Sequence, residues 1–249
     1  MSEFKRILRI VISYFYSLLT PSLNDQDLRV LMYHSVQDSS KSMWVTSTSN
    51  LTSQIQYISN RKDRSFCACD DLLEEAPKQA IAITFDDGFE DNFYTAAPLL
   101  LELGIPFCIF VITDFIKSEK KGYMDEAMLI DLASDPLVTI GSHTKSHPRL
   151  AECSHERVRE ELCDSKMYLE DLLSSEIKFF SYPHGSVNEK VKNQVIDAGY
   201  KLAFTSRFDV HTSTHDKYLI NRNEIWGEDN VQTFTRKING SYDWLKFRS

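Results

Sequence analysis

Short apolar runs alternate with longer amphipathic segments along most of this chain. Continuous apolar runs are typical of parallel strands covered on both faces, whereas apolar residues three and four positions apart indicate helices. The runs predict strands over residues 29–34, 80–85, 106–113, 138–140, 178–182, 202–205 and 218–220. The amphipathic segments predict helices over residues 49–60, 91–103, 125–134, 154–173, 188–198 and 229–238.

The order of these elements indicates the fold class. Strands that alternate with helices at this spacing are typical of βαβ units around a parallel sheet. None of the seven predicted strands shows the alternation expected at an exposed edge, which favours a closed or nearly closed barrel over an open sheet. Without an internal repeat or a low-complexity linker, the prediction is a single α/β domain over residues 24–249, preceded by a segment over residues 1–23.

Composition narrows the classes of partner. The chain has 249 residues, 42% of them hydrophobic, which is enough for a sizeable core. A formal net charge of -8 without a basic cluster argues against nucleic acid as a partner. Five cysteines without a CxxC pair indicate neither a disulfide framework nor a zinc knuckle. A reducing compartment, the cytoplasm, is therefore the expected location.

The N-terminal segment is basic and then apolar. Lys5, Arg6 and Arg9 precede an apolar and aromatic run over residues 10–19, which is too short to span a bilayer comfortably. No small-residue cleavage site follows the run. Three interpretations stay open: peripheral membrane contact through residues 3–20 on the cytoplasmic face, a helix docked on the protein itself, or an export signal.

Two adjacent carboxylates, Asp86 and Asp87, end the 80–85 run and precede Gly88. Active sites of α/β sheets and barrels lie at the carboxyl ends of their strands. Neighbouring side chains at a strand end point in different directions, so one carboxylate can bind a metal while the other handles a proton. The alternative interpretation is a simple turn, since Asp-Asp-Gly is also a turn signal.

Two further polar clusters follow later strands. His143 and His147 are four residues apart, so they meet on one side of a helical turn, and neutral imidazole is a favoured zinc ligand. Such a pair alone is more often a pair of surface or core histidines, but an acid from another strand end completes a two-histidine, one-carboxylate site. The stretch Tyr182-Pro183-His184-Gly185 either aims a backbone N–H into the cavity or only forms a turn.

Two of these segments together resemble the first two motifs of the polysaccharide deacetylases, carbohydrate esterase family 4. They are Thr84-Phe85-Asp86-Asp87-Gly88 and His143-Thr144-Lys145-Ser146-His147-Pro148, and the resemblance extends over about residues 30–225. It implies a distorted (β/α) barrel that removes acetyl groups from N-acetylated sugars with one divalent metal ion. Zinc is the leading expectation, although two histidines and an aspartate also accept cobalt, nickel or manganese.

The resemblance also implies a role for each residue that matches a motif. Asp86 would be the general base, and Asp87, His143 and His147 would bind the metal. The stretch that begins with Tyr182 resembles the third motif, so Tyr182 and His184 would be the oxyanion and substrate residues. Within it, the backbone N–H of His184 would lie nearest the developing oxyanion.

Two departures from the family pattern concern the base and the acid. Ser181 replaces the arginine that usually begins the third motif, and Arg222 is either the substitute for that arginine or a solvated surface residue. The usual late leucine-histidine motif is not evident. His34 instead ends the first strand, as in a permuted branch similar to poly-N-acetylglucosamine deacetylases, which makes it either the general acid or a structural histidine. The other histidines are expected on the surface: His155, His211 and His215.

The function expected from these residues is metal-dependent removal of the N-acetyl group of an amino sugar. The sugar would belong to a cell-envelope polysaccharide or to a lipid-linked or nucleotide-linked precursor. One rival is hydrolysis of a non-sugar amide or an O-acetyl ester on the same scaffold, because fold does not fix substrate. The other is a non-catalytic carbohydrate-binding protein with a degenerate site, which the complete set of metal and proton-transfer residues argues against.

Overall fold

The computed structural model describes residues 3–19, 28–74, 77–212 and 215–247. The strands are β1 Arg29–Tyr33, β2 Ser35–Val36, β3 Val45–Thr46, β4 Ser65–Phe66, β5 Ala80–Phe85, β6 Phe107–Val111, β7 Val138–Ser142, β8 Phe179–Ser181, β9 Leu202–Phe204 and β10 Asn223–Glu224. The α-helices are α1 Glu3–Leu19, α2 Thr48–Ser59, α3 Ala97–Glu102, α4 Thr113–Lys117, α5 Glu126–Ala133, α6 His155–Leu173, α7 Glu189–Asp197 and α8 Val231–Ile238.

A curved parallel sheet in the order β10-β1-β5-β6-β7-β8-β9 forms the centre of the fold. The short strand β4 pairs with the start of β5, and β2 pairs with β3 apart from this sheet. After β9, Ile220 makes a parallel bridge with Phe204 of β9, and the chain then continues to β10. These seven parallel strands with helices outside them confirm the predicted distorted (β/α) barrel.

The two faces of each strand fill different parts of the core. Along β5, Ile81 and Ile83 pack in a large cluster with residues of the outer helices. Ala80 and Ala82, on the other face, belong to a smaller cluster without residues from the α-helices. Because both faces are covered, the strands are continuous apolar runs rather than alternating ones.

Helices α2, α5, α6, α7 and α8 lie where the amphipathic segments predict them, and each begins at a polar cap. The cap side chain accepts a hydrogen bond from a backbone N–H of the first turn, which satisfies an otherwise unpaired donor. The capping residues are Ser47, Asp125, Ser154, Asn188 and Asn230.

Three of the predicted elements differ from the structure. The segment over residues 91–103 is not one regular helix, because a π-helical stretch, Asn92–Ala96, precedes α3. Strand β6 ends at Val111, and Thr113 already begins α4. The predicted strand over residues 218–220 is wrong: only Ile220 makes a bridge there, and pairing with β1 begins at Asn223.

Helix α1 contacts the C-terminal part of the chain through one face. The buried Ser13 hydroxyl accepts a hydrogen bond from the Trp244 indole N–H at 2.9 Å, and the Arg9 guanidinium lies 4.2 Å from the ring centre of Trp226. None of the helices in the described ranges is long and apolar enough to cross a membrane. The predicted boundary between residues 23 and 24 lies outside the described residues.

Candidate active site and metal centre

Asp87, His143 and His147 bring three potential metal ligands together at the carboxyl ends of β5 and β7. Their facing atoms form a nearly regular triangle: 3.2 Å between the two histidine Nε2 atoms, and 3.5 Å and 3.4 Å from these to Asp87 Oδ1. Ligand atoms at the usual zinc distance in a tetrahedron are about 3.3 Å apart. The triangle therefore fits one divalent ion and leaves further coordination positions open.

The two imidazoles are prepared for metal binding in different ways. His143 Nδ1 lies 2.8 Å from the backbone oxygen of Ser181, so its N–H donates to that carbonyl and the Nε2 lone pair faces the triangle. Burial, followed by the neighbouring His143, lowers the pKa of His147 to about 3. His147 is therefore neutral near pH 7, as a metal ligand must be.

The loop that carries both histidines is fixed by a buried carboxylate on α6. Glu161 accepts hydrogen bonds from the backbone N–H groups of Lys145 and Ser146, at 2.9 and 2.8 Å, and from the Ser146 hydroxyl. Thr144 and His147 both have left-handed backbone conformations, with φ of 68° and 65°. Such conformations are costly for residues with a side chain and persist only where the surroundings impose them.

Asp86 has a different environment from Asp87. Its carboxylate is buried and accepts two hydrogen bonds of 2.7 Å from the Arg222 guanidinium. Burial alone would raise the pKa of Asp86, but the charge and the hydrogen bonds of Arg222 outweigh it and hold that pKa well below its usual range. Asp86 therefore remains ionised beside the metal-binding triangle.

Arg222 is completely buried, so it is not the solvated surface residue that the sequence left open. Every N–H of its guanidinium has an acceptor, because it also donates to the Thr205 carbonyl, the Thr84 hydroxyl and the Ser181 hydroxyl. Ser181 occupies the place of the family's usual arginine, and here its small side chain lies between Arg222 and Asp86. Its hydroxyl donates to Asp86 Oδ2 at 3.2 Å.

The backbone around His34 is tied to the residues that follow the Asp86-Asp87 turn. The Asn92 side-chain amide donates to the His34 carbonyl at 2.8 Å. The Asp91 carboxylate accepts from the Val36 backbone N–H at 2.8 Å and from the Ser35 hydroxyl. Sequence reasoning missed Asp91 and Asn92, because polar residues at a helix start are usually only caps. The π-helix that begins at Asn92 is a feature often found at functional sites.

Tyr182 and His184 follow strand β8, which pairs with β7, the strand before the histidine pair. The Tyr182 hydroxyl donates to the Tyr218 carbonyl at 3.0 Å, and burial raises the pKa of that hydroxyl well above its usual range. The His184 ring is 4.5 Å from the His147 ring, and burial, followed by the charge of Arg149, lowers the pKa of His184. His184 also has a left-handed φ of 57°.

One cavity of about 480 Å³ contains every site residue predicted from the sequence. The predicted residues in its lining are His34, Asp86, Asp87, His143, His147, Tyr182, His184 and Arg222. Sequence reasoning missed other residues of the same lining, notably Trp44, Arg149 and Glu224. The volume lies within the range of roughly 300–1,000 Å³ that is common for ligand pockets.

The other histidines lie outside this cavity. His155 and His215 are exposed, as expected. The expectation for His211 is wrong, because its side chain is only 5% exposed and its backbone N–H donates to the Leu28 carbonyl. Burial lowers the pKa of His211 to about 4. All five cysteines are free, and Cys67, Cys69 and Cys108 belong to the core.

Comparison with known proteins assigns the family. The family model described as polysaccharide deacetylase matches residues 74–203, more than half of the chain. YxkH from Bacillus subtilis (strain 168) is 26% identical over 202 residues, which cover 78% of this chain and 70% of that protein. The poly-beta-1,6-N-acetyl-D-glucosamine N-deacetylase of Staphylococcus aureus (strain MSSA476) is 25% identical over 192 residues, covering 71% of this chain and 66% of that protein.

Solved structures show the same fold. The Streptococcus pyogenes deacetylase PplD gives a TM-score of 0.78 at 20% identity, covering 87% of this chain and 99% of the other. IcaB from Ammonifex degensii gives 0.74 at 20% identity, covering 91% and 100%. The family match covers the Asp86-Asp87 and His143–His147 segments, and this chain belongs to the polysaccharide deacetylase family.

Proposed function

We propose that this chain is a metal-dependent hydrolase that removes the N-acetyl group from an amino sugar of a polysaccharide or glycan precursor. The observation that carries the proposal is the pairing of two carboxylates with separate tasks. Asp87 belongs to the metal-binding triangle, whereas Asp86 is held beside it by Arg222 and stays ionised. His34 lines the same cavity and supplies a proton donor.

Asp86 acts as the general base in this proposal. The chemistry that a divalent ion supplies at such a triangle is polarisation of the acetyl carbonyl and acidification of a bound water. Asp86 accepts the proton of the attacking water, for which it must be ionised and free of the metal. The hydrogen bonds from Arg222 lower its basicity but fix the direction of its oxygens. The backbone N–H of His184 is the proposed donor to the developing oxyanion.

His34 acts as the general acid. The amine leaves only when a proton reaches its nitrogen, and His34 lines the cavity at the end of β1. Its buried Nδ1 has no hydrogen-bond partner in the described part of the chain, so no carboxylate there orients the ring through this nitrogen. The ring position instead depends on its backbone, which Asn92 anchors, and on its contact with Trp44.

Two substitutions separate metal binding from proton transfer. Asp86→Asn is expected to abolish acetate release while bound zinc, measured by elemental analysis, stays at the level of the unsubstituted protein. His143→Ala is expected to lose both, because it removes a ligand. Asp131→Asn, at an exposed position on α5, is the matched control and should change neither. Near-normal deacetylation by Asp86→Asn would contradict the base assignment.

Substrate identity is tested with a panel of acetylated compounds. The relatives named as poly-beta-1,6-N-acetyl-D-glucosamine N-deacetylases support an N-acetylglucosamine polymer of the cell envelope as the first candidate. The panel contains this polymer, lipid-linked and nucleotide-linked N-acetyl sugars, a non-sugar N-acetyl amide and an O-acetyl ester. Acetate release from the last two alone would favour the rival hydrolase. Binding of the polymer without any acetate release would favour a carbohydrate-binding protein.

Peripheral contact of α1 with the cytoplasmic membrane face is part of the proposal. One face of α1 packs on the protein, but Leu8, Val11, Phe15 and Leu18 are exposed at spacings of three and four residues. An exposed apolar stripe on a helix that also carries basic residues is typical of interfacial helices. Flotation with anionic vesicles should recover the full chain and lose a Val11→Ser, Phe15→Ser variant. Equal recovery of the two proteins would contradict the contact, and cell fractionation tests the location.

A further inference from the structure

Trp44 is an exposed aromatic side chain in the lining of the active-site cavity. Its side chain is 44% exposed, although tryptophan is usually well buried. The Trp44 ring lies against the ring of His34, with 5.1 Å between the ring centres and 57° between the planes. The proposed general acid and this tryptophan therefore form one continuous aromatic surface in the cavity.

The backbone that carries Trp44 is fixed from two sides. Its carbonyl accepts a hydrogen bond from the Ser35 N–H at 3.2 Å, next to His34 in the chain. On the other side, the Gly227 N–H donates to the Met43 carbonyl at 2.8 Å. A Cβ atom on Gly227 would lie 2.3 Å from the Val45 carbonyl oxygen, so only glycine allows this close approach. The exposed ring is thus held in place by its backbone rather than by burial.

Glu224 brings a carboxylate to the same part of the cavity. It lies on β10 opposite Met32 of β1, two residues before His34. The Trp226 indole N–H donates to Glu224 Oε2 at 2.7 Å and fixes the direction of the side chain. Glu224 is not part of the metal-binding triangle or of the Arg222 network, so the proposed hydrolysis gives it no task.

The proposed reaction fixes where the sugar ring must lie. The acetyl carbon has to reach Asp86 and the metal-binding triangle, and the amide nitrogen has to lie beside His34. The sugar carbon bonded to that nitrogen then also lies next to His34, whose ring contacts Trp44, and Glu224 lines the same cavity. A pyranose ring has an apolar C–H face that packs on aromatic rings and a rim of hydroxyl groups that donate to carboxylates.

We propose that Trp44 and Glu224 form the subsite for the sugar ring whose amide is hydrolysed, with Trp44 stacked on the ring and Glu224 accepting its hydroxyl groups. This inference rests on the proposed function, and it adds the residues that select a sugar over other acetylated compounds. Trp44 and Glu224 are substrate-binding residues in this assignment. His34 and Asp86 remain the groups that transfer protons.

The test compares a sugar substrate with an acetyl compound that lacks a sugar. The zinc-loaded full chain is assayed with N-acetylglucosamine oligomers and with N-butylacetamide, an acetyl amide without a sugar. Trp44→Ala should raise KM for the oligomer about 10-fold or more and lower the ratio of kcat/KM for the oligomer to kcat/KM for N-butylacetamide by a similar factor. Trp44→Phe should recover most of the loss, because it restores an aromatic face, and Glu224→Gln should shift the same ratio by a smaller factor.

Two controls make the outcomes decisive. Phe247→Ala removes an aromatic side chain that is 74% exposed and outside the cavity lining, and it should change neither substrate. Thermal melting of each variant identifies any that fails to fold, in which case Trp44→Phe and Glu224→Gln carry the test. Both substrates are amides and both need the proton from His34, so equal losses for Trp44→Ala would mean that Trp44 acts only through His34, and this would overturn the subsite. A zinc-loaded unsubstituted chain that releases no acetate from any sugar would instead overturn the proposed function.

Discussion

Replacing Arg222 with methionine tests the electrostatic basis of the site. The substitution keeps an apolar side chain of similar length but removes the partner of a buried carboxylate. Arg222 and Asp86 are both almost completely buried, and two hydrogen bonds of 2.7 Å join them. Breaking such a pair from one side commonly costs about 3–5 kcal/mol, because the remaining charge is left without compensation.

This cost changes the protonation of Asp86. Loss of the Arg222 charge and of its two hydrogen bonds should therefore raise the pKa of Asp86 in Arg222→Met. Burial, which raises this pKa, then acts without the charge that outweighs it in the unsubstituted protein. A base works only when it is ionised, so the acidic limb of the activity profile should move to higher pH.

The assay is acetate release from pH 5 to 9 with zinc in excess. The unsubstituted chain should show no limb from Asp86 in this range, because the carboxylate stays ionised throughout. Arg222→Met should lose activity toward the acidic end of this range, and at pH 8 it should still be roughly 10- to 100-fold slower because the base is no longer oriented. Arg222→Lys keeps the charge without the paired geometry and should fall between the two.

Stability gives an independent measure of the same pair. The pKa of Asp86 is lower in the folded state than in the unfolded state. The pair therefore stabilises the protein fully above the unfolded-state pKa of about 3.9, and this stabilisation is lost as pH falls from that value through the lower folded-state pKa. The free energy of unfolding in urea should therefore be about 3–5 kcal/mol lower in Arg222→Met at pH 7, with a smaller difference near pH 3. Arg61→Met breaks a surface pair with Asp63 and should cost at most about 1 kcal/mol. A folded Arg222→Met variant with an unchanged acidic limb would refute this reasoning.

Three further predictions concern the metal ligands and the residues that position the site. Chelation should abolish acetate release and lower the melting temperature, and added zinc, cobalt, nickel or manganese should restore both. Activity that survives complete metal removal would contradict a catalytic metal at the metal-binding triangle. Glu161→Gln should weaken zinc binding roughly 10- to 100-fold in a competition titration, because it loosens the loop between His143 and His147. Asn92→Ala should lower kcat about 10-fold, because it removes the hydrogen bond that anchors the His34 backbone. The zinc content should stay unchanged. A loss of zinc would instead mean that Asn92 supports the metal-binding triangle.

The sequence predicts the strands well because their burial leaves a simple signal. Strand β5 is buried on both faces, so its residues are apolar without alternation. The error over residues 218–220 has a physical reason. Ile220 is buried through a single bridge to Phe204, and a buried aliphatic residue in a bridge has the same sequence signature as one in a strand. The true strand, Asn223–Glu224, is polar and carries no such signature.

The site residues divide in a similar way. The site residues predicted from the sequence follow predicted strands, most of them in recognisable motifs, and all of them line one cavity in the structure. Residues that position them, such as Asp91 and Glu161, act through contacts with distant parts of the chain. Glu161 reaches the His143–His147 loop from the middle of α6, where a glutamate normally indicates only a solvated helix face. Contacts of this kind depend on tertiary packing, which local patterns do not encode.

Backbone strain and electrostatic repulsion converge on the metal-binding triangle. Asp87, Thr144, His147 and His184 all have left-handed backbone conformations, each costing on the order of 1–3 kcal/mol. The lone pairs of three ligand atoms also face one another across 3.2–3.5 Å. Buried hydrogen bonds to the Glu161 carboxylate and to the Ser181 carbonyl keep this arrangement in the folded chain. A divalent ion held by these three residues would remove the repulsion, and we expect its binding to appear mainly as increased thermal stability with little change in circular dichroism.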